Sequence, residues 1–128
     1  LQSMNQNTKH CWVAGFSFVA WIGMQLLMRR PEITGFISVA PPANMYDFSF
    51  LAPCPSSGLI INGSADRVAM PNDTVTLVNK LHDQKGITVS HEVVEGADHF
   101  FKDEEKHMNP MINMVSSYVA RRLTEATR

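Results

Sequence analysis

The stretch HCWVAGFSFVAWIGMQLL, residues 10–27, decides the fold. Its first part is short and apolar, and it predicts a buried strand over residues 10–16. Directly after Ser17 an apolar helical pattern begins, which predicts a helix over residues 18–30 that Pro31 ends. This helix is apolar nearly all round, so we expect it to be buried on most sides. Ser17 lies at the junction of the two elements and is the first candidate functional residue.

The rest of the chain alternates between strand and helix patterns. Further strands are predicted over residues 33–41, 58–66 and 87–94. A helix is predicted between the last two strands, with Asn72 as its N-cap and Gly86 as its stop. The last helix is predicted to start with Asn109 as a cap and Pro110 at its first position. The apolar face of this last helix comprises Met111, Met114, Val115, Tyr118 and Val119.

The predicted order is β-α-β-loop-β-α-β-loop-α, and it favours an α/β fold. Strands that alternate with helices form parallel sheets, because parallel neighbours need a crossover connection. We therefore expect one domain, residues 1–128, with about four mostly parallel strands and flanking helices. Functional sites in such sheets lie beyond the carboxyl ends of the strands.

The composition limits the class of protein. The 128 residues are 45% apolar and 18% charged, as in ordinary globular domains. A net charge of −1 without a basic stripe argues against a nucleic-acid partner. No apolar run approaches the roughly 20 residues of a membrane span, and the polar start LQSMNQNTKH does not resemble a signal peptide. We expect a cytoplasmic protein with no membrane partner, with Cys11 and Cys54 reduced, and with no metal or cofactor.

Three chemically complementary side chains lie where predicted strands end. Ser17 follows the first strand, Asp66 lies in the turn into which the third strand runs, and His99 comes after the fourth. A serine hydroxyl is a poor nucleophile until a base takes its proton, and histidine has a suitable pKa for that base. A carboxylate orients the imidazole and stabilises its charged form. The sequence therefore predicts that these three side chains meet at one edge of the sheet.

Three motifs, in this order, resemble those of the α/β-hydrolase family. GFSFVAWIGMQLL resembles the nucleophile elbow and its helix, LIINGSADRVAMP the strand and turn that carry the acid, and GADHFF the loop of the catalytic histidine. The whole chain resembles the C-terminal half of a small dienelactone-hydrolase-like or esterase-like member. The resemblance implies Ser17 as nucleophile, Asp66 as acid and His99 as base. It also implies the backbone N–H of Phe18 as an oxyanion donor.

Structural roles remain open for each of these side chains. Ser17 could serve only as a turn residue, and His99 only as a loop residue. Asp66, in the segment GSAD, also suits an Asx turn. In that case Asp73 and Asp98 are rival candidates for the acid.

The chain departs from the family pattern at Val19. The elbow places small residues two before and two after the nucleophile, so that strand and helix approach closely. Gly15 meets this need, whereas Val19 does not. We expect the branched side chain to push the helix away or to twist the turn, and a displacement of about 1 Å can cost about a hundredfold in rate.

The second departure is the extent of the resemblance. The predicted strands resemble only the last half of the family's sheet, and no glycine-rich segment precedes Ser17 to supply a second oxyanion N–H. The strand over 10–16 would then be an edge with unpaired N–H and C=O groups, and such edges pair with other chains. We expect a homodimer built on this edge.

Three functions are compatible with the sequence. The first is a serine hydrolase that cleaves a small ester, thioester or lactone through an acyl-serine intermediate, with activity weakened by the missing half and by Val19. The second is a catalytically inactive, dimeric remnant of such an enzyme. The third is a binding module that holds a small ligand near the loop PPANMYDF.

Overall fold

A computed structural model describes residues 11–126 of the chain, so His10, the first residue of the predicted strand 10–16, lies outside the described residues. The four strands are β1 (Trp12–Phe16), β2 (Gly35–Val39), β3 (Gly58–Gly63) and β4 (Val89–Val94). The helices are α1 (Phe18–Arg29), α2 (Pro71–His82) and α3 (Asn109–Ala126). A short 3₁₀ turn spans Ser49–Leu51, and a π-helical turn spans Glu104–Met108.

The four strands form one parallel sheet in the order β1-β2-β3-β4. This confirms the predicted α/β fold class. The strands β2 and β3 end before their predicted ranges do, because the last residues of those ranges already belong to the turns that follow, whereas β1 and β4 end where predicted. The middle strands β2 and β3 are buried at every position. Their near-continuous apolar sequences are typical of strands covered on both faces.

Two apolar layers cover the sheet, one on each face. Side chains of successive strand residues point to opposite faces, so Phe36 and Ile37 belong to different layers. Helices α1 and α2 pack on the Phe36 face through Met24, Leu27, Leu77, Val78 and Leu81. Helix α3 packs on the other face through Met111, Met114, Val115, Tyr118 and Val119, which confirms its predicted apolar face.

The predicted helix caps were wrong. Helix α2 starts at Pro71 with Met70 as its N-cap, so Asn72 lies inside the first turn. Proline suits the first helical position, because its fixed φ is already helical and that N–H needs no partner. The helix ends at His82, four residues before Gly86, whose φ of 87° instead serves the turn into β4.

Asn109 is not the cap of the last helix either. The Asp103 carboxylate accepts a hydrogen bond from the Lys106 N–H at 2.9 Å and caps the π-helical turn that leads into α3. Glu104 and Glu105 lie in this first turn, where negative charge is favourable. The helical segment therefore begins before Asn109.

The expectation that α1 is buried on most sides was also wrong for the described residues. Its buried positions are Ala20, Gly23, Met24 and Leu27, which form one face. The opposite face is apolar and exposed, at Phe18, Val19, Ile22, Leu26 and Met28. The reason is that α1 packs on β1 and β2, and β1 is one of the two edge strands of the described sheet. Within residues 11–126, no helix has the length and apolar character needed to cross a bilayer.

Candidate active site

Ser17 occupies a sharp turn between β1 and α1. Its backbone has φ 56° and ψ −123°, a sparsely populated conformation for a residue with a side chain, which costs on the order of 1–3 kcal/mol. The Ser17 N–H donates to the Val39 carbonyl at 2.8 Å, and this bond ties the turn to the end of β2. The surrounding structure thus holds Ser17 in a strained conformation at the carboxyl end of its strand.

Gly15 makes this turn possible. A Cβ at position 15 would lie 2.6 Å from the Val19 carbonyl oxygen and 2.7 Å from the Ala20 nitrogen. Val19 itself does not have the expected effect, because its side chain points away from the strand and is 57% exposed. The small residues that α1 buries next to the strand are Ala20 and Gly23. The expectation that Val19 displaces the helix was therefore wrong.

Asp66 lies in the turn after β3 and is buried. One carboxylate oxygen, Oδ1, accepts hydrogen bonds from the backbone N–H groups of Val68 and Ala69, both at 2.8 Å. This is the Asx-turn geometry that the segment GSAD suggested. It leaves the other oxygen, Oδ2, free to bind a second group. Asp66 can therefore form the Asx turn with one oxygen and bind a functional side chain with the other.

His99 bridges the other two side chains. Its Nδ1 lies 2.8 Å from Asp66 Oδ2, and its Nε2 lies 2.8 Å from Ser17 Oγ. Because the carboxylate can only accept, Nδ1 carries the proton and Nε2 accepts from the serine hydroxyl. The structure thus brings all three predicted side chains together in one hydrogen-bonded chain. His99 and Asp66 are both nearly inaccessible to solvent, at 5% and 2% exposure.

The rival acids lie elsewhere. Asp73 is exposed in the first turn of α2. Asp98 precedes His99 in sequence, but its Oδ1 accepts from the Lys102 N–H at 3.0 Å and so stabilises the loop after β4. Phe18, the expected oxyanion donor, is the first residue of α1. N–H groups at that position have no partner within the helix and lie at the positive end of its dipole.

Sequence reasoning missed the two aromatic rings beside His99. The ring of Phe16 lies 5.1 Å from the imidazole, and the ring of Phe100 lies 5.0 Å from it. They pack on the histidine and reduce the access of water to it. Their positions next to Ser17 and His99 in sequence are the signal that could have identified them. Among the described residues, no group of three or more His, Cys, Asp or Glu side chains is placed to hold a metal ion.

The fold has a close counterpart among known structures. The crystal structure of a protein of unknown function from Agrobacterium tumefaciens, proposed to be an α/β hydrolase, matches the chain with a TM-score of 0.90. The two sequences are 57% identical, and the match covers 97% of this chain and 56% of that one. The chain has the α/β-hydrolase fold.

Other α/β hydrolases match less of the chain. An α/β serine hydrolase homologue from Coxiella burnetii is 34% identical over 70% of this chain and 41% of that one, with a TM-score of 0.62. A serine hydrolase without a lid from Xanthomonas campestris is 30% identical over 78% of this chain and 43% of that one, also with a TM-score of 0.62.

The chain also matches only part of a curated relative. An uncharacterized protein of Rickettsia prowazekii is 45% identical, and the match covers 88% of this chain and 49% of that protein. The chain thus spans about half the length of the curated relative that it matches. No family model matches the chain.

Proposed function

We propose that the chain belongs to a serine hydrolase that cleaves a small ester, thioester or lactone through an acyl-serine intermediate. The observation that carries this proposal is the hydrogen-bonded chain from Ser17 through His99 to Asp66, with both contacts at 2.8 Å. The strained backbone of Ser17 supports it, since strain of this kind clusters at active sites. The matched α/β serine hydrolases from Coxiella burnetii and Xanthomonas campestris support the reaction class.

The first half of the reaction acylates the serine. Ser17 Oγ attacks the substrate's carbonyl carbon while its proton moves to His99 Nε2. Asp66 stabilises the resulting imidazolium through Nδ1–H, and the Phe18 N–H donates to the oxygen that becomes negative. The tetrahedral intermediate collapses, the bond to the leaving oxygen or sulfur breaks, and His99 returns the proton to that atom.

The second half releases the acid. A water molecule gives a proton to His99 Nε2 and attacks the acyl carbon. The bond to Ser17 Oγ then breaks, and the proton moves from the imidazolium to the serine. The products are a carboxylic acid and the free enzyme.

The surroundings of Ser17 favour an apolar substrate. The ring of Phe18 packs at 5.7 Å from Trp21 and at 5.2 Å from Tyr46, so an aromatic cluster lies directly beside the nucleophile. Such a surface stabilises an apolar acyl or alcohol group more than a charged one. We expect slow turnover by the 128-residue chain, because the resemblance assigns it one oxyanion donor, and loss of a donor costs roughly 10²–10³ in kcat.

Hydrolysis of p-nitrophenyl acetate tests this proposal. We expect slow release of p-nitrophenolate by the wild-type chain and its loss in Ser17→Ala and in His99→Ala. Ser116→Ala is the matched control, because Ser116 is exposed on α3 and lies outside the site. Equal slow rates in all four proteins would contradict the proposal and would favour the inactive remnant.

A further inference from the structure

The loop after β2 lies between the helix of the nucleophile and the loop of the acid. On one side, Trp21 Nε1 of α1 donates to the Asp47 carbonyl at 3.0 Å. On the other side, Asn44 reaches the turn that contains Asp66. The loop begins with Pro41 and Pro42, before both contacts, and backbone hydrogen bonds to the carbonyls of these prolines stiffen it. It therefore connects two parts of the site that are far apart in sequence.

The Asn44 amide makes two hydrogen bonds with this acid turn. Its Nδ2 donates to the Val68 carbonyl at 3.0 Å, and its Oδ1 accepts from the Met70 N–H at 3.1 Å. One partner can only accept and the other can only donate, so a single orientation of the amide satisfies both. Asn44 thereby holds two successive peptide groups of the turn.

One of these peptide groups also binds the catalytic acid. The Val68 carbonyl and the Ala69 N–H are the two ends of one planar peptide unit. That Ala69 N–H donates to Asp66 Oδ1 at 2.8 Å. A continuous hydrogen-bonded chain therefore runs from Asn44 through this peptide to Asp66, and from there to His99 and Ser17.

We propose that Asn44 is a positioning residue that orients Asp66 through the peptide between Val68 and Ala69. A hydrogen bond to a peptide carbonyl polarises the peptide and makes its N–H a stronger donor. A stronger bond to Oδ1 fixes the carboxylate plane, so that Oδ2 faces His99. The expected effect of Asn44 on turnover rests on the proposed function. Its expected effect on the hydrogen bond between Asp66 and His99 does not.

Two substitutions separate the parts of this contact. Asn44→Ala removes both hydrogen bonds. Asn44→Asp keeps an acceptor for the Met70 N–H but cannot donate to the Val68 carbonyl. Asn44 is exposed, so both variants should fold, which far-ultraviolet circular dichroism checks. Asn79→Ala, an exposed asparagine on α2, is the matched control.

The first readout needs no catalysis. The proton on His99 Nδ1 gives a downfield NMR resonance, assigned by its loss in His99→Gln. We expect this resonance in the wild type and in Asn79→Ala, and its broadening by exchange with water in both Asn44 variants. A resonance that is unchanged in both Asn44 variants would overturn the inference. A resonance that is unchanged in Asn44→Asp alone would also overturn it, because the hydrogen bond donated to the Val68 carbonyl would then be unnecessary.

The second readout is whether the substitutions at Asn44 change kcat or KM for the hydrolysis of p-nitrophenyl acetate. We expect both Asn44 variants to lose roughly three- to thirtyfold in kcat with KM unchanged, because up to two hydrogen bonds are lost and Asn44 does not touch substrate. If Ser17→Ala abolishes turnover while the Asn44 variants keep full kcat, this inference fails and the proposed function stands. If the wild type shows no turnover, the proposed function fails and the NMR comparison decides the inference.

Discussion

The two positions that flank Ser17 in the elbow carry different steric demands. Position 15 must be glycine, because any Cβ there would overlap the backbone of Val19 and Ala20. Position 19 tolerates a branched residue, because its side chain projects away from β1. Absence of a second glycine therefore does not by itself disrupt the elbow. Sequence reasoning located the glycine requirement correctly at position 15 and incorrectly at position 19, because it could not show which way the first turn of α1 faces.

Paired substitutions test this asymmetry. Gly15→Ala should destabilise the protein by about 1–3 kcal/mol, because backbone atoms cannot yield to the new methyl group. It should also slow hydrolysis by misplacing Ser17. Val19→Gly should change the free energy of unfolding by less than about 0.5 kcal/mol and leave hydrolysis unchanged. Urea unfolding and p-nitrophenyl acetate turnover measure both effects, and a large gain in turnover in Val19→Gly would contradict this account.

The side chains of the site differ in how far the sequence could predict them. Ser17, Asp66 and His99 each follow a strand whose apolar pattern is local, so a parallel sheet was enough to bring them together. Asn44 has no such signal. It is an exposed asparagine in a loop, and its partners Val68 and Met70 come from a segment that only the tertiary fold brings near.

At the scale of elements, the strands and the buried face of α3 were predictable, whereas the burial of α1 and the helix starts were not. The positions of the strands along the chain and the apolar face of α3 follow from periodicities that packing preserves. Helix starts depend on competition between nearby capping groups. Asp103 and Asn109 both suit a cap, and Asp103 forms it because its carboxylate reaches the Lys106 N–H.

The cap of the last helix can be tested directly. Asp103→Ala should lower the free energy of unfolding by about 1 kcal/mol, because the Lys106 N–H loses its acceptor and the helix loses a favourable charge. Asn109→Ala is the matched control and should have little effect, since Asn109 lies within the helical segment. Urea unfolding of both variants measures the difference. A larger loss in Asn109→Ala would show that the cap is at Asn109 after all.

A second element-scale prediction concerns β4 and pH. His91 Nε2 of β4 binds Asn62 Oδ1 of the neighbouring strand β3 at 2.5 Å. Burial lowers the pKa of His91, the charge of His82 lowers it further, and Glu92 opposes the shift. The unfolded chain therefore binds more protons than the folded one just below pH ~6.5. The stability from this group is complete above about 6.5 and is lost as the pH falls through the folded pKa.

His91→Gln checks this pH dependence. The glutamine amide can donate to Asn62 but does not titrate. We expect the urea concentration at the midpoint of unfolding to fall when the pH is lowered from above to below ~6.5, and to fall less in the variant than in the wild type. Equal losses in both proteins would contradict the role of His91.

At the scale of the whole molecule, two exposed features lie side by side. β1 is one edge strand of the described sheet, and the outer face of α1 exposes Val19, Ile22 and Leu26. Apolar surface next to an unpaired strand edge favours association with a second chain. We expect the 128-residue chain to form a homodimer on this side.

Sedimentation velocity tests this association. The wild-type chain should sediment as a dimer at high concentration, and Ile22→Glu should shift it to monomer because a charge would be buried at the contact. Val75→Glu on α2 is the matched control, since both side chains are 44% exposed in the described chain. A monomeric wild type, or equal shifts in both variants, would exclude an interface on α1.

Covalent labelling of Ser17 by a fluorophosphonate tests the central claim most directly, because it requires an activated serine but no turnover. We predict a single adduct on Ser17, located by mass spectrometry, that disappears in His99→Ala and forms more slowly in Asp66→Asn. Ser116 should remain unmodified in the same digest. An unlabelled Ser17, or labelling at the same rate in His99→Ala, would contradict the account.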